Sequence, residues 1–250
     1  MRKKFFAGAA LLIAATLAWA GGDPWKTKPF SQWTDKDVND ILQNSPWSRP
    51  NIQAQGAWHP DGMSQATGST ATPGGAGDTS KASSSANPET AAGLEKNAAA
   101  QAETQTYTVF WWSSRTIRAA SFRRAVLKGT MTEADAEKNL AGIPDDYMVL
   151  VQSPNMQYFQ VKGEDTFMKD AWLQMKKSKE KVTPTKVGFL KGGDGSVTGV
   201  VFYFPKKSPN GEPTIANDEK EIDFYFKIGG SKVLTAFDPR KMTDSQGEDL

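Results

Sequence analysis

EIDFYFKIGGSKVLTAF, residues 221–237, decides the fold class. Ile222, Phe224, Phe226 and Ile228 alternate with Asp223, Tyr225 and Lys227. That period of two puts one row of side chains inside and leaves the other mostly in water. Gly229-Gly230 supplies the short connection a tight hairpin needs, and Lys232–Phe237 resumes a strand pattern. Further strand signals lie at Val182–Lys191 and Ser196–Lys206, joined by Gly192-Gly193-Asp194-Gly195, and with Lys220–Ile228 they read as an antiparallel meander.

Working towards the N-terminus, EDTFMKDAWLQMKKSK (164–179) places Phe167, Met168, Ala171, Trp172 and Met175 on one helical stripe. YMVLV (147–151) is an apolar run of strand length. TEADAEKNLAG (132–142) opens on Thr132 as N-cap with Asp135 three residues on, and closes at Gly142. SSRTIRAASFRRAVLKG (113–129) reads as a helix entered through Ser114 and stopped by Gly129, and YTVFWW (107–112) as a strand. The expected fold is α+β: a strand-helix-helix-strand unit, a helix and the meander, over 107–250. A chain of that length buries roughly 70% of its unfolded surface and needs no second domain to be stable.

Residues 51–106 are mostly Ala, Gly, Ser, Thr, Gln and Pro. They predict a disordered linker, because so little apolar surface does not offset the entropy of ordering. Before it, residues 21–50 carry a fully specified helix, WTDKDVNDIL, with Thr34 as N-cap, Asp37 at the capping-box position and Ser45-Pro46 as the stop. Trp33, Val38, Ile41, Leu42 and Trp47 form its apolar face. Ten residues are marginal as an isolated helix, so this face needs a surface, either the domain beyond the linker or a partner protein. Residues 1–20 read as an export signal: Arg2, Lys3 and Lys4, then an apolar run, then Ala18-Trp19-Ala20. Without them the charge falls from +2 to near −1, so no basic nucleic-acid footprint remains, and no later segment is long enough to span a membrane.

KPFSQWTDKDVNDILQNSPWSRP (28–50), VFWWSSRTIRAASFRRAVL (109–127), GVVFYFPKK and DEKEIDFYFKIGGSKVLTAFDPRKM together resemble a family of exported bacterial proteins with this N-terminal motif and a C-terminal α+β domain. The resemblance covers about two thirds of the chain without its first twenty residues. It picks out Trp33, Ile41, Leu42, Ser45, Pro46, Trp47, Trp112, Ser113, Ser114 and Arg118, and implies no activity.

The chemical inventory is thin. There is no cysteine, and the one histidine, His59, sits inside the linker, so neither a catalytic triad nor a histidine metal site is built from it. GGDGSVTG (192–199) lacks the P-loop lysine and joins two strands. No catalytic residue, metal or cofactor is expected. Carboxylates at strand ends, Asp145, Asp146, Asp218, Glu219 and Glu221, are the remaining material for acid-base work. Arg115, Arg118, Arg123 and Arg124 spread around their helix and read as solvated or locally paired. Trp111 and Trp112, adjacent in a strand, must face opposite sides, and form a candidate aromatic surface. The function that follows is an exported, periplasmic or extracellular, non-enzymatic binding or envelope-associated protein, whose partner is an envelope or secreted protein reached through the N-terminal helix. The alternative is a carboxylate-based extracytoplasmic hydrolase.

Overall fold

The computed structural model describes residues 22–55 and 91–250. The expected export signal at 1–20, His59 and the middle of the expected linker lie outside the described residues.

In chain order the elements are α1 (Pro24–Thr27), a 3-10 turn Phe30–Gln32, α2 (Asp35–Asn44), β1 (Ser48–Gln53), α3 (Ala91–Thr104), β2 (Thr106–Trp111), α4 (Arg115–Leu127), α5 (Glu133–Leu140), β3 (Asp146–Gln152), α6 (Gln157–Lys162), α7 (Glu164–Asp170), β4 (Ala171–Met175), β5 (Lys181–Val182), β6 (Lys186–Lys191), β7 (Val197–Pro205), β8 (Ile222–Ile228), β9 (Ser231–Phe237), β10 (Thr243–Asp244) and β11 (Gly247–Glu248). The fold is α+β, with every strand pairing antiparallel. Strand-helix-helix-strand stands as read, from β2 through α4 and α5 to β3.

The strands read as one meander over 182–237 are instead divided between two sheets, because β7 pairs with β3 and β8 with β4, not with each other; β10 and β11 pair separately. One sheet runs β1-β2-β3-β7-β6 and the other β5-β4-β8-β9. Their inner faces meet through aromatic contacts, Phe202 and Phe204 against Phe224 and Phe202 against Phe226, with ring centroids 5.3–6.2 Å apart. A bridge between Gln55 and Lys232 links β1 and β9, the edges of the two sheets. The hairpins expected at Gly192–Gly195 and Gly229-Gly230 are present, and Gly195 (φ +80°) and Gly229 (φ +56°) take the left-handed backbone that glycine tolerates without a Cβ penalty.

Three further sequence expectations need correction. Ala171–Met175 is strand β4 and not the second half of a helix. Ala171 and Met175 fit a helical stripe, but Ala171, Leu173 and Met175 also fit a period of two, and pairing to β8 decides between them. The second correction concerns the linker. Ser48–Gln53 is an edge strand on β2, with Pro50 where an edge tolerates it and Asn51 (φ +58°) at the register shift between Arg49 and Ile52. Ala91–Thr104 is helix α3, seated through the small side chains of Ala98 and Ala102. Tyr107 Oη donates to Ala102 O at 2.7 Å, Lys162 pairs with Glu95 at 2.6 Å, and Gly230 N donates to Glu103 at 2.6 Å, so polar contacts supply what the alanine-rich face lacks. Third, the domain therefore does not start at 107: the N-terminal segment contributes a strand to its sheet.

The apolar face of α2 lies inside the same unit. Trp33, Val38, Ile41, Leu42 and Trp47 are all buried, and α2 packs along α4. Thr34 and Asp37 form the reciprocal capping box that the sequence specifies. From α4, Arg123 Nε donates to Trp33 O (2.9 Å) and Arg124 Nη2 to Asn39 Oδ1 (2.8 Å). In this structure the domain itself covers that face, which is the internal of the two surfaces the sequence left open.

Candidate functional site

The chain leaves β2 at Trp111 and turns sharply. Trp112 N and Ser113 N both donate to Met148 O, at 2.7 and 3.2 Å, and Ser114 begins α4 by accepting from Ile117 N on its hydroxyl. The first turn of a helix leaves backbone donors unanswered. Here a distant carboxylate answers them: Asp249 accepts from Arg115 N (2.6 Å), Thr116 N (3.0 Å) and Ser114 Oγ (2.8 Å). A negative charge at this end is also favoured by the helix dipole. Arg115 spends its Nε–Nη2 edge on Asp244 and its Nη1 on Gln246 Oε1, which fixes the β10–β11 hairpin over the helix start.

One turn further along α4, Arg118 Nη1 donates to Gly142 O at 2.7 Å, and from the end of β7 Lys206 Nζ donates to Pro144 O at 2.9 Å. These two cations grip the α5–β3 loop on either side of Ile143. Ile143 is 85% exposed, the most exposed large apolar side chain among the described residues.

Between these elements lies a cavity of about 580 Å³, walled by Ser113, Arg118, Lys206, Leu140, Ile143 and Leu250, with Glu137 and Glu248 also on its lining. Two of the lining residues hold a donor with no acceptor: Ser113 Oγ, in a residue only 3% exposed, and Arg118 Nε are both buried and unpaired. Burial pushes the Arg118 guanidinium down from its ordinary value, opposed by Asp249 and reinforced by Arg115. Burial likewise lowers Lys206, opposed by Asp145 and reinforced by Arg118. The two cations therefore lie close enough to repel each other in a partly desolvated setting.

The residues singled out from sequence fall elsewhere. Trp111 is fully buried between Tyr147 and Phe237, so it is no part of an aromatic surface; Trp112 is half-buried against the core. Both tryptophans serve packing. Among the strand-end acids, Glu219 is buried and accepts from Lys177 N and Lys220 N, Asp218 pairs with Lys177, and Glu221 pairs with Lys176 at 2.7 Å. Each is committed to holding its turn, which leaves the hydrolase reading without a pair of free carboxylates at that loop. Asp194 in the glycine-rich hairpin is taken by Ser196 N and Oγ. Of α4's arginines, Arg115, Arg123 and Arg124 are paired, but mainly with Asp244, Trp33 O and Asn39 far along the chain instead of with local partners, and Arg118 keeps one edge unused.

Sequence reasoning did not assemble this cavity. Ser113 and Arg118 stood out in the motif, but Lys206 and Asp249 carry no local signal that they converge on it. No helix among the described residues is long and apolar enough to cross a membrane. No family model, curated protein or solved structure matches the chain.

Proposed function

We propose that this protein is exported and acts, in the periplasm or outside the cell, as a non-enzymatic binding protein, with the cavity at the start of α4 as its ligand site. The observation that carries the reading is that Ser113 and Arg118, which line one concave space, each hold a buried donor without an acceptor, Ser113 Oγ and Arg118 Nε. A buried donor left unpaired costs about 1–3 kcal/mol. A ligand that supplies acceptors removes that cost, and a few convergent polar groups on an otherwise apolar wall are what small-molecule sites present. The export reading rests on the basic start, apolar run and small-residue end of residues 1–20, and on the resemblance to an exported family. An envelope or secreted protein partner would have to use a surface other than the α2 face.

The test is retention without turnover. Cells expressing the full chain are fractionated, the exported form is purified, and it is incubated with small molecules extracted from the envelope and medium. Compounds retained, raising Tm and recovered unaltered support binding. Retained compounds recovered as cleaved products would replace this reading with the hydrolase, and recovery of the protein only from the cytoplasm would remove export.

A further inference from the structure

Arginine recognises planar anions best along the edge shared by Nε and Nη2, where two parallel N–H bonds meet two oxygens. This chain uses that edge internally at Arg240, whose Nε and Nη2 meet the two oxygens of Asp238, and at Arg115, whose Nε and Nη2 converge on one oxygen of Asp244. At Arg118 the single bond to the α5–β3 loop leaves from Nη1 on the opposite side, while Nε is buried and without an acceptor. Ser113, whose Oγ is also buried and unpaired, lines the same cavity, and Lys206 is a third lining residue. The acids nearby limit the charge the site accepts. Asp249 is engaged by the start of α4, and Glu137 and Glu248 on the lining disfavour a dianion. Leu140, Ile143 and Leu250 make the remaining wall apolar, with Ile143 left almost bare.

We infer that this cavity binds a monocarboxylate joined to an apolar body, its two oxygens on the Nε–Nη2 edge of Arg118, with Ser113 Oγ donating to one of them and Lys206 adding charge, and its apolar part against Ile143 and Leu250. The inference rests on the binding reading above and names its ligand class. A free aliphatic acid and the C-terminus of an apolar peptide share this chemistry.

The test is titration of the full, purified chain, followed by calorimetry and by backbone amide shifts, with hexanoate, hexanamide, N-acetyl-leucine and inorganic phosphate as probes. Hexanoate or N-acetyl-leucine should bind saturably and shift Ser113, Arg118 and Ile143, with hexanamide at least about tenfold weaker because it lacks the charge. The tighter of the two carboxylates identifies the source, aliphatic acid or peptide end. Arg118→Lys should weaken binding at least about tenfold, since it keeps the charge and loses the planar edge. Ser113→Ala should weaken it severalfold without lowering Tm, because the hydroxyl has no internal partner to lose; this variant decides the matter if Arg118→Lys does not fold. Phosphate binding tighter than both carboxylates, carboxylate binding indifferent to both substitutions, or a lower Tm in Ser113→Ala would each overturn the assignment. If neither carboxylate binds while extract compounds are retained, the ligand class falls and the binding reading stands.

Discussion

The indole nitrogen of Trp47 donates to the backbone carbonyl of Asp249 at 2.6 Å, across 202 positions of sequence, and both residues are buried. Trp25 meets the Trp47 ring edge-on at a centroid distance of 5.6 Å. One bond thus joins the segment that carries α1 and α2 to the tail that caps α4. Trp47→Ala is expected to cost about 3–5 kcal/mol in urea denaturation, the range for removing a large buried aromatic. Trp47→Phe should lose less, about 1 kcal/mol for the missing hydrogen bond plus a packing difference. Stability unchanged by Trp47→Ala would place the N-terminal segment outside the domain.

Asp249 acts on α4 from a distance. Replacing it by Ala strips the acceptor from two backbone amides and a hydroxyl at the start of the helix. The expected loss is about 1–3 kcal/mol, with amide exchange at residues 115–117 accelerating before the rest of the helix. Uniform acceleration across the domain, with no local effect, would contradict the capping role.

Helix α3 is held by polar contacts more than by its apolar content. Tyr107→Phe removes the bond to Ala102 O and should lower stability by about 1 kcal/mol, with exchange protection lost first over residues 91–104. In the unmodified protein, protease should spare Ala91–Thr104. Early cleavage inside that span would restore it to the linker.

Alternation along β8 gives an asymmetric pair of substitutions. Phe224 is fully buried against Phe202, Phe204 and Phe226, whereas Asp223 is only partly buried. Phe224→Asp should leave no folded domain in circular dichroism, because it removes a core aromatic and buries an unpaired carboxylate. Asp223→Phe should leave the protein folded. Equal effects would mean that the strand register is wrong.

Acid should loosen the N-terminal segment through Asp37. Burial alone would raise this carboxyl, but the hydrogen bonds from Thr34 N, Lys28 and the Thr34 hydroxyl outweigh it and hold it below its ordinary value of 3.8. A carboxyl lowered in the folded state stabilises fully above its unfolded value and loses that contribution as pH falls through the folded one. Stability measured from pH 5 downward should therefore fall more steeply in the parent than in Asp37→Asn, with the difference developing below about 4. Parallel curves would show that the Thr34–Asp37–Lys28 contacts contribute nothing to folding.

What was legible in the sequence was local, because local geometry is set by neighbours a few residues apart. Thr34 with Asp37, Ser114, and Thr132 with Asp135 cap their helices as written. Alternation in Ile222–Ile228 and the glycines at 229–230 were enough for the β8–β9 hairpin. Tertiary structure decided what depended on partners far along the chain. Ala171–Met175 became a strand because β8 offered backbone pairing that a helix would forgo. Ser48–Gln53 became one despite Pro50 because β2 had an open edge, and α3 settled because Ala98 and Ala102 are small enough for close approach. The cavity belongs to this second kind: Ser113, Arg118 and Lys206 come from a turn, a helix and the end of a strand. The unpaired donors of Ser113 and Arg118 exist only because folding removes water from groups that, in the sequence, have no reason to meet.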